Sequence, residues 1–433
     1  MKNSLWQETA SRPSFPTLSG GLSTDVLIVG GGMAGLLCAH RLSEAGVDCV
    51  LVESGRICNG TTGNTTAKIT VQHGAIFDKM IRRFGVEQSR RYFAAQCAAL
   101  NAYRALSREI ECDFEECDSF VYSLDDTEKL ERELVALLRL GARAELMGEC
   151  ELPFAIAGAL RLGGQAQFHP LKFAFGIAEK LRIFEHTKVL EFTEDGAVTS
   201  SGRIRAKRVV VTTHFPILNK YGAYFLKMYQ HRSYVLALQN APRVEGMYMD
   251  ERKTGISFRT WGEYLLLGGG GHRTGKSGGC WRELEEFAEK YYNGARVAAR
   301  WAAQDTITLD DLPYIGRYSP RTPNLFVATG FNKWGMTTSM LAADLLCVLL
   351  RGKEHPCEEM LSPARSVWRP RLFSNAAHSV AGLLTPTVPR CPHLGCALQY
   401  NAAEHSWDCP CHGSRFGEDG TLLDGPATDD KRF

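Results

Sequence analysis

Residues 25–29, Asp-Val-Leu-Ile-Val, read as a buried parallel strand that runs into Gly30-x-Gly32-x-x-Gly35 and an amphipathic helix to about Ala45. A second strand, residues 48–52, ends in Glu53. Strand, glycine turn, helix, strand and acid, in that order, constrain the fold more than any other feature of the chain. They predict an α/β protein that opens with a dinucleotide-binding unit. The glycines let the backbone turn tightly and approach a pyrophosphate, the helix N-terminus faces the phosphate charge, and Glu53 can accept hydrogen bonds from ribose hydroxyls. The motif alone does not separate FAD from NAD.

The other end of the chain carries a second motif. Cys391-Pro-His393-Leu-Gly-Cys396 is followed by Cys409-Pro-Cys411-His412-Gly-Ser414. Two Cys–His pairs at this spacing suit a Rieske [2Fe–2S] cluster, with Cys391 and Cys409 on one iron and His393 and His412 on the other. A tetrahedral zinc site is the competing reading, and buried core cysteines a third. Six such residues, with Pro and Gly shaping two tight loops, favour the cluster. Residues 391–433 thus predict a one-electron relay.

Between the motifs, Glu53 leads into a polar loop, residues 54–68, that ends Thr65-Thr66-Ala67-Lys68. Later, Asp310-Asp-Leu-Pro-Tyr-Ile-Gly316 precedes a strand at 325–328, then Gly330-Phe-Asn-Lys-Trp334-Gly335-Met336-Thr337 and a helix to Leu350. In these residues the chain resembles the D-amino-acid oxidase/glycine oxidase superfamily of FAD-dependent oxidoreductases, in the branch with a C-terminal Rieske segment. The resemblance covers nearly the whole chain. It implies a Rossmann-type FAD-binding domain with an inserted mixed α+β substrate domain and a small C-terminal all-β Rieske lobe.

Carried over residue by residue, the resemblance implies that Gly30, Gly32, Ala34 and Gly35 hold the pyrophosphate and Glu53 the adenosine ribose. Thr65, Thr66, Ala67 and Lys68 would run beside the diphosphate and isoalloxazine, and Val189 would touch the adenine through its backbone. Gly330, Trp334, Gly335, Met336 and Thr337 would close over the flavin. Likeness to bc-complex-type Rieske proteins implies a Cys396–Cys411 disulfide tying the two ligand loops. His73 and Lys68 are the candidates near the reactive face of the flavin, as proton handler and as electrostatic stabiliser of reduced flavin.

The expected organisation is a discontinuous FAD domain (20–85, 146–215 and 300–352), a substrate domain (86–145 and 216–299), a linker (353–385) and a truncated Rieske lobe (386–433). Helical periodicity over 84–111 and 127–140 predicts inserted helices. Only about 35 residues separate the FAD domain from Cys391, so the lobe is expected to lie against the FAD domain and to hold no iron on its own.

Fifty Lys+Arg against 48 Asp+Glu give no electrostatic case for nucleic acid or an acidic membrane. The first 24 residues contain no long apolar stretch, and residues 340–350 are too short to span a bilayer, so the expectation is a cytoplasmic protein without membrane insertion. Many of the 14 cysteines sit in apolar segments like small core residues. Residues 270–277 fit a phosphate-binding loop pattern, but Gly278 and Gly279 follow where a helix should begin, so nucleotide hydrolysis is not expected and His272 and Arg273 are at most pocket-lining candidates.

Two departures qualify the resemblance. The arginine that grips a substrate carboxylate in glycine and D-amino-acid oxidases is missing from the stretch Gln304 to Asp310, with Arg259, Arg273 and Arg317 as possible substitutes. In the cluster motif Ser414 is kept but Phe416 stands where high-potential Rieske proteins have a Tyr that hydrogen bonds a ligand sulfur, which predicts a lower potential. The expected activity is oxidation of a small amine, amino acid or related molecule by hydride transfer to FAD, with single electrons passing through the cluster to an external acceptor protein. Inward electron flow from a donor protein, or a sensor without its own substrate, are the alternatives.

Overall fold

The computed structural model describes residues 3–218, 220–252, 255–366, 372–373, 375, 383–386 and 389–432. Three sheets organise it. The first has the order Tyr314–Arg317, Leu325–Thr329, Gly202–Val211, Leu22–Val29, Cys49–Val52, Ile183–Phe184, with the small antiparallel strands Val189–Thr193 and Gly196–Thr199 at one side. Its four central strands pair in parallel. Val26, Leu27, Ile28 and Val29 are all buried, as a strand covered on both faces requires. The helices Met33–Glu44 and Gly335–Leu350 pack against each other on one face.

The second sheet runs Arg296–Thr308, Met228–Gln239, Tyr264–Arg273, Ser257–Trp261, Met247–Asp250, Glu115–Ser123, Gly158–Gln167, Lys68–Ile69. It is mixed: Met247–Asp250 and Glu115–Ser123 pair in parallel, the others antiparallel. Side chains alternate across a strand. Val235, Ala237 and Trp301 therefore join the core shared with the first sheet, while Tyr234, Leu236 and Leu238 pack on the other side, with Leu284 and Ala288 of the helix Cys280–Tyr291.

Sheet membership shifts two expected boundaries. Gly158–Gln167, expected within the FAD segment 146–215, pairs with Glu115–Ser123 in the second sheet. Arg296–Thr308 continues past residue 300 as the outer strand of that sheet. Which sheet a strand joins depends on distant pairing partners, which period-2 alternation does not reveal. The inserted helices are Phe77–Leu106, kinked at Gly85 (φ 80°), and Glu128–Leu140.

The third sheet consists of four strands of three residues, Gln399–Asn401, Ser406–Asp408, Arg415–Gly417 and Leu422–Asp424. Its own core is small: Cys391, Cys396, Leu398, Cys409, Cys411, Phe416 and Ala427. Much of the 353–385 linker lies outside the described residues. Its start is fixed by Arg365, which donates to Asp310 at 2.8 and 2.9 Å and lies 3.8 Å over the Tyr314 ring. Among the described residues no helix is long and apolar enough to cross a membrane.

Candidate active site and cluster centre

The glycine turn leaves the strand Leu22–Val29 at Gly30, whose φ is +112° and where a Cβ would stand 2.8 Å from the Thr212 carbonyl. At Gly35 a Cβ would stand 1.9 Å from the Gly30 oxygen, so only glycine lets the helix approach the strand. The helix Met33–Glu44 begins at Gly32 with no side-chain cap of its own, and Ala34 is buried in its first turn. The Met33 amide donates to Thr62 Oγ1 at 3.0 Å. Glu53 closes the turn, accepting from the Gly31 amide at 2.8 Å and the Gly55 amide at 2.9 Å. Glycine turn, helix N-terminus and acid thus lie together. Val189 is buried at the start of its strand and pairs with Thr199. Nearby, the Thr187 amide bonds the Glu53 carbonyl at 2.8 Å.

The loop that would follow the diphosphate is clamped through its carbonyls. Trp6 Nε1 donates to Thr65 O at 2.6 Å, Trp301 Nε1 to Asn64 O at 3.0 Å, and Arg259 Nη1 to Thr66 O at 2.7 Å and Ala67 O at 2.9 Å. Arg259 also lies 5.4 Å over the Trp6 ring. The N-terminal helix Leu5–Thr9, capped by Ser4, therefore braces this loop, which no motif in residues 1–24 announces. A Ser followed by Leu-Trp was the available signal.

Lys68 ends this loop with Nζ 3.3 Å from both Thr66 Oγ1 and Ser257 Oγ. Burial, with the Arg259 charge nearby, brings its ammonium down to about 7. His73 stacks on Trp334 at 5.1 Å, and its Nε2 lies 3.1 Å from Thr70 O and 3.0 Å from Thr337 Oγ1. A carbonyl only accepts, so Nε2 carries the proton. Burial pushes the ring down to about 3, so His73 stays neutral and positions the helix Gly335–Leu350; this geometry gives no support to proton handling. Gly330 (φ +74°) stands where a Cβ would meet Thr308 Cγ2 at 2.3 Å, and the Met336 carbonyl accepts from Tyr103 at 3.0 Å.

The arginines considered for a substrate carboxylate are committed elsewhere. Arg259 donates to backbone carbonyls, Arg317 is exposed on the outer strand Tyr314–Arg317, and Arg273 reaches the C-terminal lobe. The turn Thr274-Gly275-Lys276 does not open a helix as a phosphate-binding loop would, because the next helix begins only at Cys280. Instead Gly275 lies where a Cβ would meet Pro410 N at 2.5 Å.

In the lobe, two loops bring Cys391, His393, Cys409 and His412 together. Gly395 N bonds Cys391 O at 2.9 Å, Gly413 N bonds Cys409 O at 2.9 Å, and Cys409 N bonds Ser414 O at 2.8 Å. Cys396 and Cys411 are disulfide-bonded, and Cys409 Sγ lies within 4.8 Å of both their sulfurs. The Cys391 thiol accepts from Cys409 and is held below the usual thiol range, to about 7. The His393 and His412 rings lie 5.0 Å apart, and burial keeps both neutral. All four of their ring nitrogens are buried without a hydrogen-bond partner among the described residues. Two adjacent thiols and two orphaned neutral imidazoles fit a [2Fe–2S] cluster, which would take one nitrogen of each ring.

Residues 25–349 match the FAD dependent oxidoreductase family (DAO), and residues 375–432 match the Rieske [2Fe-2S] domain. The chain belongs to the FAD-dependent oxidoreductase family and ends in a Rieske domain. This DAO-family chain is 34% identical to the Rieske 2Fe-2S iron-sulfur protein YhfW of Bacillus subtilis over 98% of its own length and 95% of that protein. It is 26% identical to gamma-glutamylputrescine oxidoreductase of Escherichia coli over 78% of its length and 86% of that protein. Glycine oxidase from Geobacillus kaustophilus superposes with a TM-score of 0.68 at 21% identity, over 80% of this chain and all of that one, which shows the shared fold. FAD and a Rieske cluster are the cofactors of this oxidoreductase.

The lobe is docked on the second sheet. Gln304 Nε2 donates to Gly413 O at 2.9 Å and its Oε1 accepts from Thr274 at 2.9 Å. Phe225 meets the His412 ring edge-on at 5.8 Å. Arg232 pairs with Glu404, which also holds Arg415 of the lobe.

Proposed function

We propose that this chain dehydrogenates a small amine by hydride transfer to FAD and passes the electrons singly, through the Rieske cluster, to an external acceptor protein. A flavin supplies this chemistry when bound, because it exchanges two electrons with an organic substrate and one at a time with a metal centre. The observation that carries the reading lies on one strand, Arg296–Thr308. Trp301 on one face bonds Asn64 of the FAD loop, and Gln304 on the other bonds Gly413 beside the cluster ligand His412. The Gln304 carbonyl also accepts from Thr61 of the FAD loop at 2.9 Å. One rigid element thus fixes both cofactor loops.

The substrate side favours an amine over a simple amino acid, since Arg259, Arg273 and Arg317 are all engaged or turned outward. The relative named gamma-glutamylputrescine oxidoreductase fits that direction. In this reading Gly30, Gly32, Gly35 and Glu53 hold the dinucleotide, Trp6 and Arg259 set the loop beside it, and Lys68 supplies charge at the reduced flavin. The enzyme works in the cytoplasm, where its many unpaired cysteines suit a reducing compartment.

Anaerobic stopped-flow mixing with a panel of amines and amino acids tests this. An amine should bleach the flavin, and cluster reduction should follow in the same protein. Failure of the whole panel to bleach the flavin, or bleaching with the cluster left oxidised, would reject the proposal.

A further inference from the structure

Arg273 ends the strand Tyr264–Arg273 of the second sheet and leaves its own domain. Its Nε donates to Pro410 O at 3.3 Å and its Nη2 to Cys411 O at 3.4 Å, the two carbonyls between the ligands Cys409 and His412. The guanidinium is fixed from below by the Tyr229 ring at 4.8 Å and from the side by Asn375 Oδ1 at 2.7 Å. Asn375 is itself held by the Leu226 and Met228 carbonyls.

The other buried cations at this junction are neutralised. Arg415 faces Glu404, Asp408 and Asp424, and Arg232 faces Glu404. Arg273 has no carboxylate within ion-pair distance among the described residues. Among the described residues its charge therefore acts on the cluster loop with no carboxylate to compensate it, in surroundings where water screens weakly. Arg390 makes the matching contact on the first ligand loop, donating to Gly395 O at 2.7 Å, but from within the lobe.

We propose that Arg273, a residue of the substrate domain, sets the reduction potential of the Rieske cluster by holding a positive charge on the backbone between two of its ligands. Adding an electron to the cluster is favoured by a fixed cation nearby. The lobe itself lacks one donor that raises the potential, because Phe416 is apolar and buried. Docking on the substrate domain supplies part of what the lobe omits, and the full potential exists only in the docked state. Arg273 acts through the loop and is a positioning residue. The inference rests on the electron path through the cluster proposed above.

The test is an EPR-monitored redox titration of full-length protein, comparing wild type, Arg273→Gln and Arg273→Lys, with iron content and g values measured on the same samples. The proposal expects Arg273→Gln to keep the wild-type g values and shift the midpoint to more negative potential. Arg273→Lys, which keeps the charge but not the fork, should shift less. If Arg273→Gln fails to retain iron, retention by Arg273→Lys supports the role of the charge. An unchanged or raised midpoint in Arg273→Gln overturns the proposal, as does equal loss of iron from both variants. A wild-type protein without a Rieske signal would defeat the proposed function, a result separable from either outcome for Arg273.

Discussion

Arg232 and Glu404 meet across the junction between the second sheet and the cluster lobe, with Arg232 Nε donating to Glu404 Oε1 at 2.9 Å and side chains only 2% and 1% exposed. Tyr234 donates to the same carboxylate oxygen at 3.0 Å. Arg415 completes the contact from inside the lobe at 2.8 Å. The lobe has few apolar residues of its own, so this buried polar junction governs whether it stays docked.

Glu404→Ala removes the carboxylate shared by Arg232 and Arg415, leaving Arg232 with only Asp424 at 3.7 Å while Arg415 keeps Asp408 and Asp424. Breaking a buried pair from one side costs about 3–5 kcal/mol. The expected result is early loss of iron on heating, with flavin retained, measured by iron content and flavin fluorescence along a thermal ramp. Residues 380–433 expressed alone lose the contacts from Arg232, Arg273 and Gln304 and should hold no iron; a stable red fragment would contradict this.

The same carboxylate gives a pH dependence. Burial alone would raise it, but Arg232 and Arg415 more than offset that and hold Glu404 down at about 2. A lowered carboxylate contributes stability that is complete above its unfolded value of about 4.3 and is lost as pH falls toward 2. Docking should weaken across that acid window, and limited proteolysis of the lobe as a function of pH will show it.

Lys68 should titrate in the working range. Its folded value of about 7 lies below the unfolded value of about 10.4, so its charge opposes folding fully below pH 7, and the penalty fades as pH rises from 7 toward 10. Lys68→Met should raise the melting temperature most below pH 7. It should also remove a step near pH 7 from the pH profile of flavin reduction.

The N-terminal helix should matter for flavin retention. Trp6 is fully buried and bonds the loop at Thr65. Trp6→Ala is expected to cost about 3–5 kcal/mol and to lower FAD occupancy, read from the ratio of flavin to protein absorbance. Gly35→Ala, whose Cβ would overlap the Gly30 carbonyl, should abolish FAD binding.

The glycine turn and the Cys–His loops were legible because residues close in the chain form each of them, and their spacing encodes the geometry. Contacts between distant segments were not. Trp6 and Arg259 converge on one loop from positions 253 residues apart. Arg273 reads as a pocket candidate in sequence, yet it points to the lobe because Gly275 lets the turn pass against Pro410. Strand Gly158–Gln167 shows alternation but not its partner. The neutral state of His73 also follows from burial by the helix Gly335–Leu350, which no local pattern announces.

The most direct measurement is the EPR spectrum of anaerobically purified, dithionite-reduced protein, with iron and flavin assayed on the same sample. The account predicts a rhombic signal of low average g with about two irons and one FAD per chain. An EPR-silent protein containing zinc in place of iron would contradict it.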